Sequence, residues 1–222
     1  YYMNLIADAM EPYLAASGIQ FTRNTPDMTA ASSIAASNAG NYDLHLALHS
    51  NAVGSGQQST VRGIDAYYYP ASVNGKRFAD IAANNLQLIY PLPGMVKTVP
   101  TTRLGEVARV RAPGVLIELG YHDNPLDADW IRNNINNIAE NLVLSLTEYF
   151  GIPFNMPQPI QVGYVSTEGS NLNIRSRPDI GAPIIGKIPN GSEILIYNRL
   201  PEWDLAGYGG VMGYVSSRYV AV

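Results

Sequence analysis

The chain of 222 residues contains no cysteine, which excludes disulfides, thiolate zinc sites and a cysteine nucleophile. It has no basic block either. Fourteen Lys and Arg stand against eighteen Asp and Glu, a net charge of -4, and nucleic-acid binding needs clustered cations to neutralise phosphates. No apolar run reaches the roughly 18 residues of a membrane span. Charged residues are scarce at 14% while hydrophobic ones reach 46%, the reverse of a disordered chain. Histidine is limited to three: His45, His49 and His122. The chain opens Tyr-Tyr-Met-Asn-Leu, with neither an initiator Met nor a signal peptide, so a removed leader or a start inside a domain is expected.

What is present divides the chain in two. Met3, Ile6, Met10 and Leu14 keep helical spacing up to a stop at Gly18. Residues 19–23 read as a short strand and 29–38 as a second helix. Strands are expected over 43–49 and 63–69, a helix over 76–90 that ends before Pro91, and a doubly buried strand over 115–119 (VLIEL). An amphipathic helix follows over 127–150. This alternation predicts an α/β fold over 1–150, a twisted, mostly parallel sheet flanked by helices. Residues 151–160 hold three prolines and no periodicity, a semi-rigid linker. Beyond it, short runs at 163–165, 172–175, 184–188, 193–197 and 213–215 sit between Gly, Pro, Asn and Ser. Residues 161–222 therefore read as a small all-β barrel or sandwich. Its five acidic and five basic residues cancel, which argues against capture of a ligand by charge.

Few residues offer chemistry. With no thiolate, a metal site must use histidine with Asp or Glu. His45 and His49 point to one side of a strand but lie roughly 13 Å apart along it, too far for one ion, and His49 is the better candidate because it closes the strand. The plainer alternative makes both ordinary core or surface histidines. Glu118 sits inside VLIEL, where a buried carboxylate costs several kcal/mol unless it is paired, metal-bound or protonated. It suits a general base whose pKa is raised by desolvation, or simply an ion pair with Arg109 or Arg111. His122, in the turn GYHDNP, reads as exposed or turn-capping. Asn51 can cap a turn or orient the site.

Taken in order, three segments resemble the zinc-dependent N-acetylmuramoyl-L-alanine amidases of the amidase-3 family. They are Asn4-Leu5 with Gly18 and Thr22-Arg23; Asp43 with Leu48-His49-Ser50-Asn51-Ala52; and Pro113-Gly114-Val115-Leu116-Ile117-Glu118-Leu119-Gly120-Tyr121 with Asn124 and Asp127-Ala128. The resemblance implies a peptidoglycan hydrolase with zinc as cofactor, His49 as a zinc ligand and Glu118 as the catalytic carboxylate. It implies that Glu118 takes a proton from the attacking water and passes one to the departing L-alanine nitrogen. The family's first strand, with its His-Gly-Gly ligand, and its glutamate ligand have no counterpart here and are expected upstream of Tyr1. Arg109 or Arg111 is a candidate for a stem-peptide carboxylate. Leu172–Pro178, Ile185–Ile188, Gly191-Ser192, Trp203 and Gly213–Val220 resemble a bacterial SH3 domain, making the second part a small SH3-like barrel. A secreted or wall-located monomer acting on peptidoglycan follows, either an autolysin or an endolysin. The rivals are a wall-binding protein with an inactive amidase-like scaffold and a zinc hydrolase of another amide.

Overall fold

The computed structural model describes residues 1–222 except 55 and 57. Contacts divide the chain into two compact units: Tyr1–Met10 with Arg23–Gly151, and Glu11–Thr22 with Ile152–Val222.

The first unit is mixed α/β. Helix α1 (Tyr2–Ala16) carries Pro12, which has no N–H for the carbonyl one turn earlier. Helix α2 (Ala30–Ala39) starts at a reciprocal cap: the Thr29 side chain accepts from Ser32 N, and Ser32 Oγ accepts from Thr29 N. Strands β1 (His45–Asn51), β2 (Ile64–Tyr68), β3 (Val96–Pro100) and β4 (Gly114–Tyr121) form one sheet in the order β1-β4-β2-β3. β1 runs parallel to β4 and β2 to β3, while β2 and β4 are antiparallel. Two of the three pairings are thus parallel, and helices flank the sheet as the alternation implies. Helix α3 (Val73–Gln87) lies on β2, β3 and β4 and packs against α6 (Ile135–Phe150), with Phe78 edge-on to Tyr149 at 5.5 Å. A single turn, α4 (Gly105–Ala108), lies on β4, β1 and β2. Alternation along β4 sends Leu116 and Glu118 to one face and Val115, Ile117 and Leu119 to the other. On the first face Ala47, Val107 and Leu116 pack together with Tyr67 and Leu104.

The local expectations fail in three places. Residues 19–23 form no strand. Gly18 leaves α1 with φ +78°, and the Arg23 guanidinium turns back on the helix, bonding Asn4 and Asp8. The long helix over 127–150 is two helices, α5 (Pro125–Asn133) and α6, because Asn134 folds its amide onto the Trp130 carbonyl at 2.8 Å. β3 and α4 have no sequence counterpart: the first carries a lysine and a terminal proline, and the second is too short for a periodic signal.

The second unit is an antiparallel seven-stranded sheet, β5 (Gln161–Val165), β6 (Leu172–Arg175), β7 (Ile184–Ile188), β8 (Glu193–Arg199), β9 (Trp203–Tyr208), β10 (Val211–Ser216) and β11 (Val220–Ala221). The order is β11-β5-β8-β9-β10-β6-β7. Its core gathers Val165, Leu172, Ile174, Ile188, Ile194, Ile196, Ala206 and Val215. All five expected strands are there. Residues from α1's end belong to this unit: Asn155 bonds Ser17 Oγ and the Ala16 carbonyl, and Tyr13 stacks on Phe154.

Candidate active site

Strand register builds the site. His49 of β1 is level with Glu118 of β4, Glu118 with Asp65 of β2, and Asp65 with Lys97 of β3. Neighbours in register project to the same face, with strands about 4.8 Å apart. One imidazole and two carboxylates thus stand in a row, near the carboxyl ends of the parallel pair β1 and β4, where open α/β sheets hold ligands. Their face is the one that α4 covers.

Glu118 is half-buried, and its Oε2 is buried with no hydrogen-bond partner among the described residues. Burial raises its pKa above its ordinary value and the neighbouring Asp65 adds to this, against the pull of His49 and His122. No ion pair joins Arg109 or Arg111 to Glu118 among the described residues. Instead the Asn38 side chain holds the backbone of both, accepting from Arg111 N and donating to the Arg109 carbonyl.

His49 meets a residue that sequence reasoning missed. Its Nε2 lies 3.1 Å from Glu106 Oε2, on α4, while His45 Nε2 lies 3.7 Å from Glu106 Oε1. The strand reading therefore needs amendment. The two histidines are four residues apart on β1, yet their side chains lean toward one carboxylate dropped between them from the covering turn. Hydrogen bonding to Glu106 raises the His49 pKa despite burial. In return the His45 and His49 imidazoles hold Glu106 far below the usual range, at about 2. Nothing local in the sequence marks Glu106, and its role depends on α4 crossing β1. Asp65 was missed for a similar reason: its significance is its register with Glu118. It also accepts from Tyr67 Oη at 3.3 Å, and burial, then Asp65, pushes that phenol to about 12.

His122 occupies the turn after β4, its Nδ1 3.1 Å from both Ser50 Oγ and the Ser50 carbonyl. Asn51 shapes the exit from β1, its side chain accepting from Ala52 N and its carbonyl from His122 N. Asp127, fully buried, accepts from Arg62, Tyr90, Gly63 N and Tyr121 N and so pins the ends of β4 and β2.

The chemistry of the donor set bears on a metal. A catalytic zinc normally takes three protein ligands and a water. Among the described residues no three His, Cys, Asp or Glu side chains come together as such a set, so the described residues do not by themselves fit the ion.

The fold and site define a mixed α/β protein whose parallel strand ends carry an imidazole beside a carboxylate. Residues 2–148 match the model of the N-acetylmuramoyl-L-alanine amidase family, and residues 170–221 that of the bacterial SH3 domain. The chain belongs to the N-acetylmuramoyl-L-alanine amidase family and carries a bacterial SH3 domain. Solved structures share the fold, among them the following three. The N-acetylmuramoyl-L-alanine amidase from Clostridium difficile 630 is 19% identical, with a TM-score of 0.59 over 67% of this chain and 82% of its own. AmiC2 of Nostoc punctiforme is 20% identical, with a TM-score of 0.57 over 68% and 84%. Ami1 from Mycobacterium smegmatis is 17% identical, with a TM-score of 0.58 over 68% and 76%. Among curated proteins none matches this chain.

Proposed function

We propose that the chain is a peptidoglycan amidase that hydrolyses the amide between the lactyl group of N-acetylmuramic acid and the L-alanine of the stem peptide, outside the cell at the wall. The observation that carries this reading is Glu118: a carboxylate with one buried, unpartnered oxygen, level with His49 on the adjoining strand. A group held there with a raised pKa suits proton transfer in both directions. Glu118 takes a proton from water as the water oxygen bonds to the scissile carbonyl carbon. It then gives that proton to the amide nitrogen as the C–N bond breaks, leaving a lactyl carboxylic acid and a free amine. Zinc is the cofactor we propose, with His49 as the ligand within this chain. Bound zinc polarises a carbonyl and acidifies water, but the donor set here is incomplete and the steps above use only the chain's own residues. Asn51 and the guanidinium groups of Arg109 and Arg111 are proposed to meet the substrate, the two arginines through stem-peptide carboxylates.

We further propose residues 1–150 as the catalytic domain, 151–160 as a linker and 161–222 as the SH3-like module. The test is zymography on peptidoglycan with the zinc-supplemented wild type and Glu118→Gln. Loss of a general base is expected to lower the rate about 10²–10⁴-fold, and a variant within a few-fold of wild type removes Glu118 from the mechanism. Mass spectrometry of the digest must show a free lactyl acid; another cleaved amide would give the hydrolase a different substrate. A second reading, an inactive amidase-like protein that binds the wall, is favoured by the missing three-donor set among the described residues. Stoichiometric zinc in the purified protein would exclude it.

A further inference from the structure

The Glu106 carboxylate touches His49 at one nitrogen only, and that contact decides what His49 can do. Glu106 is largely buried, its side chain 12% exposed, on a turn held against β1, β2 and β4. Its Oε2 lies 3.1 Å from His49 Nε2, and its Oε1 faces His45 Nε2, a buried nitrogen with no hydrogen-bond partner among the described residues. A carboxylate accepts and does not donate, so the ring nitrogen opposite it must carry the proton. We propose that Glu106 is a positioning residue for the site, fixing His49 as the Nε2–H tautomer and leaving Nδ1 as its only nitrogen with a free lone pair.

This rests on the reading of His49 as a functional residue and deepens it. Ligating or proton-transferring histidines are commonly held this way, the second ring nitrogen donating to a carboxylate that sets ring orientation and basicity. The structure adds a feature of its own, a single carboxylate placed between two imidazoles of one strand. The chemistry also predicts an asymmetry. Glutamine in place of Glu106 offers one acceptor and one donor. With its oxygen toward His49 it keeps Nε2–H there, and with its NH₂ toward His49 that ring must accept at Nε2.

The experiment is nitrogen-15 NMR of the histidine rings in the full chain, at a pH high enough to leave them neutral. The wild type is expected to show His49 as one tautomer, protonated at Nε2. Glu106→Gln is expected to leave His49 as a single tautomer, set by which amide atom faces it, and Glu106→Ala to give His49 as a mixture. A wild-type His49 protonated at Nδ1, or present as a mixture, overturns the proposal, as does an Ala variant whose His49 remains a single Nε2–H form. If the Ala variant does not fold, the wild-type and Gln spectra decide alone. The readout requires no turnover: a wild type that hydrolyses no amide yet shows the Nε2–H form removes the amidase reading and keeps Glu106 in its role, while activity with the wrong tautomer does the reverse.

Discussion

Asp127 offers the sharpest energetic test, because every lone pair it uses is accounted for. The residue is 0% exposed. Its Oδ1 accepts from Arg62 Nε at 2.7 Å and Tyr90 Oη at 2.7 Å, and its Oδ2 from Gly63 N at 3.2 Å and Tyr121 N at 3.0 Å. Gly120, at φ +89°, lets β4 bend over it, and a Cβ there would meet the carboxylate at 3.2 Å. Asp127→Asn keeps the shape and places an NH₂ against donors on whichever side it falls. Placed at the Oδ2 position, the NH₂ deprives two backbone N–H groups of an acceptor. Placed at Oδ1, it strands Arg62, which has no lone pair to offer. Each buried polar group so orphaned costs about 1–3 kcal/mol, more when charged, and breaking a buried ion pair costs about 3–5 kcal/mol. A loss of about 3–5 kcal/mol is expected, a large share of the roughly 5–15 kcal/mol of a typical domain. Urea denaturation measures it through Trp130, 7% exposed and edge-on to Tyr90 at 4.9 Å, in a Trp203→Phe background that silences the second unit. A loss below about 1 kcal/mol at unchanged m-value would refute the reasoning, since that is the range of substitutions away from such networks.

Other expectations follow from the same contacts. Glu106, lowered to about 2, stabilises the fold above its unfolded pKa of about 4.5, and this is lost as pH falls toward 2. Thermal melts should therefore show a shallower acid limb for Glu106→Gln, and an unchanged limb would count against the pair. His49 has the opposite sign: its raised pKa stabilises fully below 6.5 and is lost as pH rises through the folded value above that. Gly213→Ala would bring a Cβ to 2.6 Å from the Arg175 carbonyl and 2.7 Å from Ile174 Cγ2. Overpacking of that kind costs about 1–3 kcal/mol, read by Trp203 fluorescence in urea; a neutral result would mean that β6 can yield. Asn124 caps α5, accepting from Leu126 N and Asp127 N and donating to the Ser59 carbonyl at 2.8 Å. Asn124→Ala should cost about 0.5–2 kcal/mol in the Trp130-detected transition, and no loss would show the cap to be replaceable.

Much of this molecule can be read along the chain. The 3.6-residue pattern in α3, the apolar run of β4 and the turn-punctuated short runs after Gly151 each describe a local preference that the folded state keeps. Glu118 was visible because a carboxylate within an apolar strand demands an explanation from desolvation alone. His49 stood out by its place at a strand end. Elements that local rules misjudged are those where a side chain or a segment found a better partner elsewhere. Arg23 bonded α1 rather than extending a strand, and Asn134 capped Trp130 and divided one helix into two.

What only tertiary structure decided is the company these residues keep. Strand order places Asp65 beside Glu118, though 53 positions separate them in the chain, and the crossing of α4 drops Glu106 between two histidines. Periodicity reports which side of an element is buried, because burial follows the local repeat. It carries no record of which strand lies alongside or which turn lies above, since those depend on how the whole sheet is ordered and covered. Sequence therefore pointed to the acid and the imidazole, and the fold supplied the two further carboxylates beside them.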